Sequence, residues 1–204
     1  MTMKKIRLFY VLLAMLMAIP MSAQTDSQKE EMLKTRAKEK VGQFCDYVSF
    51  IASKKKNLKT RLYYVDKAKN LFLNRGKALF DEDGSMVRDS VIMQVTSLKA
   101  KKPRNVYLNK YLPNLARLKY PEVEVTSTDV AEMKVSNLHK IGDGLYTCTV
   151  YFYQYFVGKA DNRVVYKDKT NKRVQCYIVE EETEDGLEYV VLLGDIYAGT
   201  TESF

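Results

Sequence analysis

The chain has 204 residues, with 33 Lys and Arg against 25 Asp and Glu, a formal charge of +8, one His and three Cys. That length fits one domain with one core. The single His139 and the spacing of Cys45, Cys148 and Cys176 exclude a zinc centre, so no metal and no cofactor is expected.

The first residues have the three regions of an export signal. Lys4, Lys5 and Arg7 supply the positive start, and Leu8 to Ile19 is an apolar run too short to span a bilayer. Met21-Ser22-Ala23 offers a small-residue cleavage site before Gln24. The other reading of the run is a short buried helix or a retained anchor. Residues 1–23 are therefore expected to be a signal peptide and 24–204 a single domain, periplasmic or extracellular. Without Lys4, Lys5 and Arg7 the formal charge falls to +5. The clusters Lys54-Lys55-Lys56 and Lys99 to Arg104 lie at predicted element ends, where a solvated loop accounts for them. No nucleic acid and no membrane span is expected.

Ser27-Gln28-Lys29-Glu30 has capping-box form. Leu33, Ala37, Val41, Phe44, Val48 and Ile51 then recur at helical spacing, which predicts one long amphipathic helix from about Ser27 to Ser53. Asn57 or Thr60 can cap a second helix with Leu62, Val65, Ala68 and Phe72 on one face, flanked by Tyr63 and Tyr64 and stopped at Gly76. Asp83-Gly84 is a turn, and Val91 to Leu98 alternates like a strand. Val106 to Leu118 has a mostly helical period interrupted by Pro113. That is read as a kinked helix, with a shorter helix carrying Pro113 in its first turn as the alternative.

After Tyr120-Pro121 the pattern is that of strands. Val123 to His139 switches the parity of its apolar positions, which calls for a bulge or bend near Ser127 to Asp129. Gly142-Asp143-Gly144 turns into Leu145 to Val157, rich in aromatic and β-branched residues, with Cys148, Val150, Phe152, Gln154 and Phe156 in its more apolar row. Ala160-Asp161-Asn162 turns out of it. Val164 to Glu180 and Leu187 to Tyr197 follow, joined at Asp185-Gly186. Short turns favour antiparallel pairing, so the fold class is α+β, with three helices packed on a bent antiparallel sheet. Such a sheet leaves a concavity suited to a small ligand.

This order of elements, from Ser27 to Tyr197, resembles the NTF2-like superfamily, a cone-shaped fold that includes ketosteroid isomerases. The signal ending in Ser22-Ala23-Gln24 is similar to those of exported Bacteroidota proteins. In the isomerases the resemblance implies a Tyr and two acidic residues in the cone. No such set maps residue by residue onto this chain, so no catalytic residue is assigned.

The remaining clusters are bland. Glu180-Glu181-Glu182, Glu184 and Asp185 lack the spacing and glycine of a calcium loop, as do Asp81, Asp83 and Gly84. No phosphate loop or nucleophile motif occurs. Tyr151, Tyr153 and Tyr155 share one face of a strand, where they can stack sugars, grip a partner, or form a half-exposed face or homodimer interface.

Strand bookkeeping places Cys148 opposite Cys176 and Val150 opposite Val174. A disulfide is permitted there, and a pair of reduced core thiols is the alternative. The same bookkeeping sets Asp195 opposite Cys176, on the apolar face with Gln154. Asp195 is then the polar anchor of the ligand site, with Gln154, Tyr63 and Tyr64 as partners. Gly194 argues the other way, since a bulge there would turn the Asp195 carboxylate to solvent.

Two functions fit. One is an exported non-catalytic domain that binds an unknown small molecule or protein. The other is a small isomerase- or dehydratase-type enzyme using a buried carboxylate. Convergence of two or more ionisable groups in the cone would speak for the second.

Overall fold

In the computed structural model, residues 21–100, 102–161, 163–184 and 186–204 are described. The expected signal peptide lies almost entirely outside them, as do Asn162 and Asp185 of the expected turns. The chain divides into two units, Met1–Leu33 and Lys34–Phe204. The first contributes helical backbone from Met21, the start of helix α1 (Met21–Ala52). The capping box at Ser27 therefore lies inside a helix rather than at its start, because no residue from Ala23 to Asp26 breaks helical backbone.

The second unit holds the core. The α1 stripe Ala37, Val41, Phe44, Val48 and Ile51 is buried at the predicted helical spacing. Helix α2 (Leu58–Lys69) starts at Asn57, whose side chain accepts from the Thr60 N–H. It ends at Asn70, earlier than Gly76. The chain then makes a left-handed turn through Asn74, Arg75 and Gly76, with φ of 45°, 53° and 65°. Tyr64 packs against Tyr47 and Phe50 of α1, with ring centroids 5.8 and 4.8 Å apart. Gly42 of α1 is a close-approach glycine: a Cβ there would lie 2.4 Å from Val130 Cγ2.

Strands β1 (Leu79–Phe80) and β2 (Met86–Arg88) form a small hairpin. Strand β3 (Ile92–Val95) pairs with β4 (Arg104–Tyr107), which leads into helix α3 (Leu108–Ala116). Only Val106 and Tyr107, the first two residues of the segment expected to be a kinked helix, are thus strand, and Pro113 sits inside the short helix that follows. The carbonyls at its C-terminal end accept from cations: Arg61 donates to Ala116 O and Lys54 to Leu118 O. This is why Arg61 is buried on the inner face of α2.

Strand β5 (Glu122–Ser127) is followed by a 3-10 turn at Val130–Glu132, then by β6 (Lys134–Val135) and β7 (His139–Gly142). That turn is the break demanded by the parity switch. Three long strands follow: β8 (Leu145–Ala160), β9 (Arg163–Thr183) and β10 (Gly186–Glu202). The sheet order is β4-β3-β10-β9-β8-β5, with β6 and β7 also on β8. The sheet is mixed rather than purely antiparallel, because β3 enters parallel to β10 at Ile196 and Met93. Strand β10 does not close the sheet; β3 and β4 extend it. Among the described residues, three helices on a mostly antiparallel sheet make the α+β class. Among the described residues, no helix is long and apolar enough to cross a membrane.

Candidate functional site

The register of β8 and β9 decides which residues meet. Cys148 pairs with Cys176 and Val150 with Val174, as the turn predicted. Side chains alternate across a strand, so the even row of both strands faces inward. On β9 that row runs Ile178, Cys176, Val174, Lys172, Thr170, Asp168, all buried. Its first half is apolar and its second half polar. Opposite the polar half, β8 supplies Phe152, Gln154 and Phe156.

The polar end of this row lines a cavity of about 270 Å³. The wall also includes Val95 at the end of β3 and Thr96 after it, Arg104 and Val106 of β4, and Tyr111, Asn114 and Leu115 of α3. Lys172 is 3 % exposed. Its partner on β10 is the small Ala198, and its chain reaches β3, where Nζ donates to the Gln94 carbonyl at 2.8 Å. Asp168 accepts from the Tyr166 hydroxyl, which in turn accepts from the Leu98 N–H at 3.1 Å. Between them the Thr170 hydroxyl meets that of Thr201 at 2.9 Å.

Burial sets the electrostatics. Desolvation brings the Lys172 ammonium down to about 8, against a smaller opposing pull from Asp168. Desolvation also raises the Asp168 carboxyl, opposed by the Tyr166 hydrogen bond and the Lys172 charge. The Tyr111 phenol is pushed up to about 12 by burial and then by the Asp168 charge. Lys172 and Asp168 lie four residues apart along one strand, too far for their side chains to form an ion pair. The arrangement offers one acid, two cations, a phenol, two threonine hydroxyls and two amides around a half-apolar space.

Of the residues predicted to form the site, only Gln154 lines this cavity. Asp195 is buried at 8 % exposure but elsewhere. The β9–β10 hairpin pairs Leu193 with Cys176, and a bulge at Gly194 and Asp195 follows before Ile196 pairs with Val174. Asp195 accepts from Arg88 Nη1 at 2.7 Å, from the Ile92 N–H at 2.8 Å and from the Tyr197 hydroxyl at 3.4 Å. It thereby fixes β2 and β3 beside β10 rather than facing a ligand. Gly194 fits under the Tyr177 ring, where a Cβ would lie 2.7 Å from Cε2. Tyr63 and Tyr64 belong to the α1–α2 aromatic cluster, and Tyr63 is 55 % exposed.

Asp168, Thr170 and Lys172 were missed by the sequence reading. The signal was present: they share parity with Cys176 and Val174, so any register that buries the cysteines buries them too.

Cys148 and Cys176 are buried and, like Cys45, are free thiols. Their mutual hydrogen bond holds Cys148 below the usual thiol range and raises Cys176. Tyr151 and Tyr153 lie half-exposed on the outer face of the sheet, with Lys169 Nζ 4.1 Å from the Tyr153 ring centroid. Among the described residues no cluster of three His, Cys, Asp or Glu could hold a metal. A larger groove of about 760 Å³ runs between α1 and β10, lined by Arg36, Lys40, Asp46 and Tyr189. It is open to solvent and carries no buried ionisable group, so the sheet cavity is the better candidate.

No family model matches the chain, and no curated protein matches it in sequence. Two solved structures are similar in outline. The "Putative Scytalone Dehydratase" of Novosphingobium aromaticivorans has a TM-score of 0.43 and 5 % identity over 87 % of this chain and 91 % of that one. The Kfla4162 protein of Kribbella flavida has a TM-score of 0.36 and 16 % identity over 88 % and 95 %. Likeness at this level concerns the course of the chain and carries no chemistry.

Proposed function

We propose that this is an exported pocket domain that takes up a small polar molecule in the sheet cavity and holds it without transforming it. The observation that supports this reading is the polar half of the β9 inner row. A buried Lys172, Thr170 and Asp168 interrupt a row that is otherwise core, and they face open space rather than one another. A fold gains nothing by burying an ammonium short of partners, so the row has the character of a binding site. Export rests on the leader Met1 to Ala23.

Protein purified from its native host should begin at or near Gln24. Native mass spectrometry should show it carrying a small molecule that is released on unfolding. An empty cavity, together with no thermal shift across a broad library of small metabolites, would sink the binding reading. Recovery of intact Met1 in a cytoplasmic pool would sink export.

A second reading is favoured by the convergence of Asp168, Lys172 and Tyr111 around one cavity. Asp168, held above the ordinary carboxylate range, would act as general base, with Tyr111 or Lys172 facing the developing negative charge. Asp168→Asn separates the two readings. It abolishes turnover of a bound molecule if the site is catalytic, and it leaves retention intact if the site only binds.

A further inference from the structure

The ligand's chemical class can be read from what the cavity wall leaves unanswered; this rests on the cavity being a binding site. We propose that the cavity takes a small amphipathic monocarboxylate, its carboxylate on Lys172 Nζ and its short apolar body against Val106, Leu115 and Phe156.

Four observations carry this. First, an ammonium has three donors, and Lys172 spends one on the Gln94 carbonyl. The others are left to the cavity it lines. Second, the one carboxylate on the wall, Asp168, is already engaged by the Tyr166 hydroxyl and forms no ion pair with Lys172. Third, the wall carries Lys172 and Arg104 against Asp168, a net positive lining that one negative charge balances. A dianion such as phosphate would overshoot that charge balance and would meet the Asp168 charge in the same small space. Fourth, Val95, Val106, Leu115, Leu118 and Phe156 make much of the wall apolar, and about 270 Å³ lies below the size of pockets that take drug-sized ligands. A head of one charge on a compact apolar body matches both.

A bound carboxylate would also answer the desolvation of Lys172. In the unliganded cavity the ammonium titrates at about 8. A carboxylate on Nζ favours the charged form, so binding above that pH must draw in a proton. The other ionisable groups around it are Asp168 on β9, Tyr111 on α3 and Arg104 on β4, with no ionisable group among the β8 residues opposite.

The probes are sodium benzoate and its neutral isostere benzamide, measured by isothermal calorimetry on the mature chain. Benzoate should bind at least about ten-fold more tightly than benzamide, the difference expected for a charge-assisted bond. Lys172→Met should erase that preference, and Asp168→Asn should strengthen benzoate binding. In wild type, paired buffers of different ionisation enthalpy should show proton uptake near pH 9 and almost none near pH 6. Benzamide binding as well as benzoate would overturn the carboxylate assignment while leaving a binding cavity in place. Benzoate binding without proton uptake near pH 9 would overturn the contact with Lys172. Binding of neither probe would overturn the assignment, and a molecule recovered from the native protein would then show whether the cavity binds anything.

Discussion

Lys172→Met should make the protein more stable at neutral pH. The ordinary lysine value of 10.5 falls to about 8 in the folded chain. That difference is worth ~3 kcal/mol against the folded state wherever both states would be protonated. Lys172 is 3 % exposed, so solvent screening takes little from this figure. Methionine has nearly the same length and needs no ion pair, but it leaves the Gln94 carbonyl without its donor, at about 1 kcal/mol. The net gain is about 2 kcal/mol near pH 7, or about 4–8 °C in Tm for a domain of this size. The sign follows from proton counting. Between about 8 and 10.5 the unfolded chain binds more protons than the folded one, so wild type gains stability there as pH rises. The advantage of the variant should therefore shrink through that window and vanish by about pH 10. Urea titrations of both proteins at several pH values test this, using the difference between the two so that other groups cancel. A variant less stable than wild type at pH 7, or a difference independent of pH, would refute the claim that Lys172 is buried without adequate compensation.

Asp195→Ala should cost about 3 kcal/mol, because it orphans the Ile92 N–H and the half-buried Arg88 guanidinium. Asp195→Asn, which keeps an acceptor for Ile92, should cost about 1 kcal/mol, and neither change should alter ligand retention; a neutral Asp195→Ala in chemical denaturation would remove its anchoring role. Gly42→Ala should destabilise by about 1 kcal/mol, overpacking against Val130 outweighing the gain in helix propensity. The double change with Val130→Ala should recover that loss, and a double-mutant cycle without coupling would contradict the close approach. Unfolded without reductant, the protein should take up alkylating reagent at Cys45, Cys148 and Cys176, whereas the folded protein should be protected at all three. Alkylation at Cys45 alone would mean that Cys148 and Cys176 are bridged.

What could be read from sequence was whatever local pattern controls. The α1 stripe, the Asn57 cap and the Cys148–Cys176 register all follow from spacing and turn chemistry, and they recur in the structure. The register across β9 and β10 slid by two residues, because Gly186 rather than Leu187 opens the pairing opposite Thr183. A slip of two preserves parity and so keeps Leu193 and Val191 inward. Asp195 was displaced by something else, the bulge after Leu193, which is set by the Tyr177 ring over Gly194 and by Arg88 from a distant hairpin. These are contacts between parts of the chain far apart in sequence. Val106 and Tyr107 misled for a related reason: the apolar spacing from Val106 onward suits a helix, yet pairing with β3 makes these two residues strand. The candidate site was legible in parity but was overlooked: Asp168 and Lys172 lie within the strand read over Val164 to Glu180, yet as charged residues they look like surface positions.

The most direct test of the account is an NMR titration of the Lys172 side-chain ammonium in the free mature protein. A midpoint near 8 is predicted, reflecting an ammonium desolvated in the cavity wall and short of a carboxylate partner. A midpoint at the ordinary 10.5 would mean that Lys172 is solvated or paired, and would contradict the assignment of this cavity as the functional site.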